Sequence, residues 1–210
     1  SLTTSQIVAI TPRNIGLLRT QEIVALKTDQ VLALNASQLK ALTSTQLPSF
    51  EVADIQALST SQLLNLGGQQ LNYLSTAQLS SLITTQLAAL TPSQISTLNT
   101  ANLNSLTTSQ FQALTALQIA GMSTSQVSNL ETADLLSLSS SQLRAISVLG
   151  IGALRADEAT SLTTQWISSL SNTQIPGLSS TNLNLLSTSQ LKSLTTSQIV
   201  SLSTKQIAGM

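Results

Sequence analysis

The chain has 210 residues with eight basic and eight acidic side chains, no His and no Cys. The absence of His and Cys excludes zinc fingers, disulfide frameworks and Cys–His catalytic pairs. Zero net charge with only 8% charged residues argues against a nucleic-acid partner, because phosphates require a basic surface. The apolar content of 41% is too high for a disordered polar tract, so we expect the chain to fold.

The sequence is one uninterrupted repeat of eight residues. Residues 2–209 divide into 26 octads without an insertion or deletion, starting with LTTSQIVA at 2–9. Positions one and six are apolar in every octad, while position two is Ser or Thr and position five is Gln in 17 octads each. Because no octad gains or loses a residue, we predict a single repeat array in which each octad is one step of a solenoid.

The order of residue types within an octad is typical of a helix start. Ser or Thr at position two and Gln at position five form the capping-box pattern, and the apolar positions one and six then form a hydrophobic staple. Pro12 and Pro92 occupy position three, the first helical residue, where proline is favoured. The sequence therefore predicts an all-α solenoid, or superhelix, of very short capped helices with one helix per octad.

A β-solenoid with two octads per coil is the alternative. The Thr, Val and Ile content supports it. Pro48 and Pro176 count against a helix, because at position seven they would remove an intrahelical hydrogen bond. Against the β-solenoid, positions one and six would point to opposite faces of a strand, and only 8 glycines are available for corners.

Two early departures from the repeat have structural interpretations. In LGGQQLNY at 66–73, Gly67 and Gly68 occupy the cap region, which predicts a local bend. The segments FEVAD and LETAD place pairs of carboxylates three residues apart, Glu51 with Asp54 and Glu131 with Asp134. Such pairs are able to share Ca²⁺, but Asp also substitutes for Gln near the positive end of a helix. We adopt the second interpretation and predict no metal site and no cofactor.

The octads at 146–169 are the most irregular, because both the cap and the Gln pattern weaken there. They contain the single Trp of the chain, Trp166, and the adjacent acidic residues Asp157 and Glu158. These three residues are the candidate binding residues, and sequence drift within a structural repeat is the alternative interpretation. No base is positioned to activate a serine, so we predict no catalytic residues and no enzymatic activity. The longest apolar run, 145–154, is about half of what a membrane span needs, which predicts no span.

The octad L-[ST]-[TS]-x-Q-[ILV]-x-x resembles the repeat regions of very large secreted or surface-attached, adhesin-like bacterial proteins. The resemblance covers 2–209 and carries no site residues. It implies an extracellular location and a role as a stalk, fibre or adhesive surface.

The function expected from these features is that of a structural or interaction module that forms filaments or acts as a spacer. The terminal octads do not differ from the central ones, so we expect them to stack on a second copy end to end or on flanking repeats. The alternative is a binding module in which rows of Ser and Thr hydroxyls order water, ice or a glycan.

Overall fold

The computed structural model describes residues 2–210, and that part of the chain contains helices and no strand. Each octad forms one short helix, giving 24 α-helices and two 3₁₀ helices among the described residues. The all-α prediction is confirmed, and the β-solenoid alternative is wrong because the octads bond within helical turns rather than between strands. The chain divides into two compact units, residues up to Ala113 and residues from Leu114 onward. The octad frame of the sequence continues through both.

The first unit contains thirteen α-helices and one 3₁₀ helix. In chain order they are α1 Thr4–Ala9, α2 Pro12–Ile15, α3 Thr20–Val24, α4 Thr28–Leu32, α5 Ala36–Ala41, η1 Leu47–Ser49, α6 Val52–Ala57, α7 Thr60–Asn65, α8 Gly68–Tyr73, α9 Thr76–Ser80, α10 Thr84–Ala89, α11 Pro92–Thr97, α12 Thr100–Leu103 and α13 Thr108–Ala113.

The second unit contains eleven α-helices and one 3₁₀ helix. They are α14 Ala116–Ala120, α15 Thr124–Ser128, α16 Thr132–Ser137, α17 Ser140–Ala145, α18 Val148–Gly152, α19 Ala156–Ser161, α20 Thr164–Ser169, η2 Ile175–Gly177, α21 Ser180–Leu185, α22 Thr188–Lys192, α23 Thr196–Val200 and α24 Thr204–Ala208. Helices α18, α19 and α20 show that the irregular octads at 146–169 still follow the rule of one helix per octad.

Helix α11 shows how one octad starts and stops. The Thr91 hydroxyl accepts a hydrogen bond from the Gln94 N–H at 3.1 Å, and Gln94 Oε1 accepts one from the Thr91 N–H at 2.8 Å. The helix ends at Thr97, and the next residue, Leu98, has an extended backbone with φ −61° and ψ 132° and an N–H that donates to the Ile95 carbonyl at 3.1 Å. This extended residue is position one of the next octad, so the staple residue of that octad also makes the corner here.

The two prolines at position seven shorten their helices without breaking the array. Pro48 lies in η1 and Pro176 lies in η2, the two 3₁₀ helices of the described chain. Proline has no N–H for the i→i−4 bond of an α-helix, so these octads close with the tighter i→i−3 pattern. The two prolines that counted against a helix are therefore accommodated in 3₁₀ helices.

Within each unit the principal helix contacts join octads that are three apart. In the first unit α2 packs on α5, α5 on α7, α7 on α10 and α10 on α13; in the second, α14 packs on α17 and α17 on α20. Counting η1 and η2 as octads, each of these pairs is separated by 24 residues. One coil therefore contains about three octads.

The core of each coil consists of the apolar side chains at positions one and six. The position-six residues from Ile7 to Leu183 are at most 1% exposed, and the position-one residues from Leu34 to Leu186 are at most 8% exposed. Since these helices are too short to be stable alone, the burial of these side chains between coils supplies the stability.

The bend predicted at Gly67 and Gly68 is wrong. Gly67 has φ −67° and ψ 157°, almost the same backbone as the regular cap Ser59 at −67° and 158°. The reason for a glycine lies at the next position, where a Cβ on Gly68 would stand 1.9 Å from Thr97 Oγ1. The missing side chain therefore lets α8 approach α11 closely.

Candidate functional site

The Gln side chain at position five joins two coils. In Gln94 the Oε1 atom accepts from the cap N–H of its own helix, and the Nε2 atom donates to the carbonyls of Leu63 at 3.0 Å and Leu66 at 2.7 Å. These carbonyls lie 31 and 28 residues earlier, at the corner that ends a helix of the neighbouring coil. A carboxamide is suited to this position because it accepts through oxygen and donates through nitrogen.

This pattern recurs along both units, and we call it the glutamine ladder. The same pair of carbonyls, 31 and 28 residues earlier, receives the Nε2 donors of Gln38, Gln46, Gln70, Gln78, Gln174, Gln190, Gln198 and Gln206. Most of these side chains are buried, so each ladder bond satisfies polar groups that water cannot reach. The sequence predicted the bond to the cap but not the two bonds to the neighbouring coil.

Trp166 occupies a ladder position and is buried, whereas a surface binding residue would be exposed to solvent. It lies at position five of its octad, is 4% exposed, and its indole Nε1 donates to the Leu135 carbonyl at 3.4 Å. Leu135 is 31 residues earlier and is therefore the carbonyl that a Gln would reach. The indole has one donor and no acceptor, so it replaces only part of the Gln.

Arg155 and Glu158 together replace the Gln of their octad. Glu158 Oε2 accepts from the Arg155 N–H at 2.6 Å, as a ladder Gln does at its cap. Glu158 has no donor for the neighbouring coil, and the Arg155 guanidinium supplies it by donating to the carbonyls of Ser128 and Leu130. The guanidinium also lies 3.1 Å from Glu158 Oε1, in an ion pair that lacks hydrogen-bond geometry. The same residue types, Arg19 and Glu22, occur at positions two and five of another octad.

The two acidic candidates of this octad differ in environment. The Glu158 side chain is fully buried, and desolvation raises its pKa despite the opposing hydrogen bond and charge of Arg155. Asp157 is exposed and lies 3.3 Å from Arg155 Nε. Desolvation is the largest single influence on the pKa of Asp157 and acts to raise it. The hydrogen bond and the charge of Arg155, together with local backbone N–H groups, outweigh desolvation and lower this pKa. Of the three candidates, only Asp157 presents its polar atoms to solvent, and their role in binding stays a prediction.

A groove of about 200 Å³ lies beside Trp166, between α17 and α20. Its walls combine the Trp166 ring and leucine side chains with hydroxyl groups and one amide, and no charged residue lines it. The lining residues are Leu136, Leu138, Ser139, Ser140, Leu143, Thr163, Gln165, Trp166 and Ser169.

The aspartates of the two acidic pairs stand at buried positions of the array. Asp54 and Asp134 are each 4% exposed and stand at ladder positions, where the sequence predicts that Asp replaces Gln. Among residues 2–210 no group of three or more Asp, Glu, His or Cys side chains is placed to hold a metal ion. No helix in that range has the length and apolar character to cross a membrane.

Comparison with known proteins supports a repeat region. The family model of the ALTTAQ repeat matches residues 47–84, a segment that includes the octad LSTAQLSS at 74–81. No curated protein matches the chain. The match, together with the helical octads, makes this chain a tandem helical repeat module.

Proposed function

We propose that the chain is a structural spacer or adhesin-stalk segment outside a bacterial cell that associates end to end into filaments. The repetition of one contact, octad on octad three positions later, supports this proposal because such an array adds length by adding identical steps. The composition agrees with an extracellular role, since a chain with no His, no Cys and few charges has little that responds to pH, oxidation or salt.

The observation that carries the proposal is the complementarity of the first and last coils. In the first coil Leu2, at position one, is 49% exposed while Ile7, at position six, is buried. In the last coil the reverse holds, with Ile199 and Ile207 at position six 47% and 57% exposed and Leu194 at position one buried. Each coil thus exposes the half of the core that the other would cover.

Hydrogen-bonding groups follow the same complementarity. Gln6 in the first coil is an exposed Gln at a ladder position, and Arg19 with Glu22 has the residue types by which Arg155 and Glu158 replace a ladder Gln. The corner carbonyls of Ile199 and Leu202 in the last coil correspond to those of Ile167 and Leu170 in the preceding coil, which receive the ladder donor Gln198. The last coil of one copy stacked on the first coil of another would continue the ladder, as flanking octads would in a longer chain.

Sedimentation velocity and electron microscopy of the purified chain over a range of concentrations test the association. We expect concentration-dependent linear oligomers, and we expect Ile207→Lys to abolish them by placing a charge in the contact. Leu117→Lys is the matched control, because Leu117 is 74% exposed but lies away from the terminal coils. A chain that stays monomeric at every concentration, or equal effects of both substitutions, would contradict end-to-end association.

The extracellular location has its own test. Fractionation of the source cells with an antibody against the chain, followed by protease treatment of intact cells, should detect the protein in the medium or as a protease-sensitive surface protein. Detection in the cytosol alone would refute the location without affecting the association.

A row of threonines keeps the hydroxyl-surface function as a second candidate. Thr60, Thr84 and Thr108 occupy position three of octads that are 24 residues apart, and all three are exposed. A regular hydroxyl row on one face of the first unit is the arrangement that ordering of water or ice requires. Thermal hysteresis in dilute solution, lost in Thr84→Lys and retained in Thr188→Lys of the second unit, would support it. No hysteresis in the native chain would eliminate it.

A further inference from the structure

The substitution of Gln by Trp at position 166 leaves one carbonyl of the corner without its ladder donor. A Gln at 166 would reach the carbonyls 31 and 28 residues earlier, which belong to Leu135 and Leu138. The indole donates to Leu135, and no protein donor reaches the Leu138 carbonyl. Leu138 is 8% exposed, the highest value among position-one residues from Leu34 to Leu186, so the coils are least tightly closed at this corner.

The groove beside Trp166 lies at this same corner. Ser140 and Ser169 line it from its two helices, and their hydroxyls lie 3.2 Å apart. The residues that line the groove therefore include one aromatic side chain, several hydroxyl side chains and Leu138, whose carbonyl has no protein donor, and none of them is charged. The volume of about 200 Å³ is below the range of about 300–1,000 Å³ that is typical for drug-sized ligands. The space suits a single small ring.

We propose that this groove binds one ring of a neutral polyhydroxylated compound, such as one sugar residue of a glycan. A ring of this kind has an apolar face for the Trp166 edge of the groove and hydroxyls that donate to the Leu138 carbonyl and exchange hydrogen bonds with Ser140 and Ser169. A charged ligand would find no counter-ion in the lining. A purely apolar ligand would leave the Leu138 carbonyl unpaired. The proposal is independent of end-to-end association, because the groove is formed within one unit.

The single Trp of the chain makes the test direct. Trp166 fluorescence and the indole N–H signal in ¹⁵N-labelled protein would be followed while glucose, galactose, mannose or N-acetylglucosamine is added up to high millimolar concentration. Cyclohexanol serves as an apolar ring with one hydroxyl and glucuronate as a charged sugar. We expect a saturable change with at least one neutral sugar, and a several-fold weaker response to cyclohexanol and glucuronate.

Variants locate the response in the groove. Trp166→Gln restores the consensus residue of the octad, so we expect it to fold, to close the ladder on Leu138 and to lose the saturable shifts of neighbouring amides. Ser140→Ala should weaken binding several-fold, while Thr188→Ala, at the same position of a distant octad, should leave it unchanged. The proposal is overturned if no neutral sugar gives saturation, if cyclohexanol binds as well as the sugars, or if Trp166→Gln retains the response.

Discussion

The role of a single residue is clearest at the ladder positions, where one side chain satisfies groups in two coils. Gln94 is 6% exposed and holds one cap N–H and two carbonyls. A carboxylate in its place keeps the acceptor but has no donor and faces two carbonyl oxygens. The preference for Gln over Glu at this position is therefore a consequence of donor count rather than of size or helix propensity.

Gln94→Glu should lower the free energy of unfolding at neutral pH by about 2–3 kcal/mol, because the buried carbonyls of Leu63 and Leu66 each lose a hydrogen bond and face a carboxylate instead. Urea denaturation followed by circular dichroism measures the change. The matched control is Gln69→Glu, which makes the same substitution at an exposed position of a nearby octad and should stay within about 0.5 kcal/mol of the native chain. Equal effects of the two substitutions would mean that the ladder bonds contribute nothing to stability.

The contributions of the two Arg–Glu pairs to stability should change with pH in opposite directions. Hydrogen bonds from the Arg19 side chain and backbone lower the pKa of Glu22, so its stabilisation is present above its ordinary value of 4.5 and is lost as the pH falls. Burial raises the pKa of Glu158, so its contribution is fully present below 4.5 and is lost as the pH rises through the raised pKa.

The measurement is the free energy of unfolding of the native chain and of the Glu→Gln variant of each pair across a pH series. The stability of the native chain relative to Glu22→Gln should increase as the pH rises past 4.5, whereas its stability relative to Glu158→Gln should decrease. Slopes of the same sign for the two variants would contradict the assignment of one exposed and one buried pair.

At the scale of one helix, most of the architecture could be predicted from the sequence because the signals are local. The cap at Thr91 and its partner Gln94 are three residues apart, and the staple joins Leu90 to Ile95 within the same octad. The bend predicted at Gly67 and Gly68 failed for the opposite reason. The residue that requires a glycine there is Thr97, in another octad, and nothing in the local pattern shows that contact.

The adjacent glycines of α8 should respond differently to a side chain. Gly68→Ala should reduce stability by about 1–3 kcal/mol, because the new Cβ meets Thr97, which belongs to a packed neighbouring helix. Gly67→Ser should be neutral or stabilise by a few tenths of a kcal/mol, since the space there is open apart from Gln70 Oε1 at 3.7 Å and serine is a better cap. Thermal denaturation compares the two. A tolerated Gly68→Ala would show that the contact with α11 can relax.

The organisation of a whole unit was not predictable from one sequence of near-identical steps. If every octad offers the same leucines and the same Gln, any number of octads per coil satisfies the pattern equally well. The bonds that fix the number span 28 and 31 residues, as from Gln46 to Leu18 and Ile15, and such separations leave no trace in an eight-residue period. The Trp166 groove could not be predicted from the sequence either. The available signal was that Trp166 stands at position five, which marks it as a substitute for a ladder Gln.

Because each unit is held by contacts at fixed octad separations, it should tolerate an added octad far better than an added residue. Insertion of LSTSQLAS between Ala41 and Leu42 keeps every position in phase, so each Gln still finds a corner carbonyl on the neighbouring coil. Insertion of one Ala at the same junction adds one residue between each Gln after the junction and its carbonyl acceptors before it. These donors and acceptors then no longer face each other.

We expect the octad insertion to retain cooperative unfolding and a helical circular dichroism spectrum, with stability close to that of the native chain. The single-residue insertion should cost about 3 kcal/mol or more, since several buried ladder groups lose their partners together. Urea denaturation of both variants decides the matter. If the extra residue is absorbed at the corner without loss of stability, the ladder does not fix the phase of the coils, and the complete absence of insertions among 26 octads would need another cause.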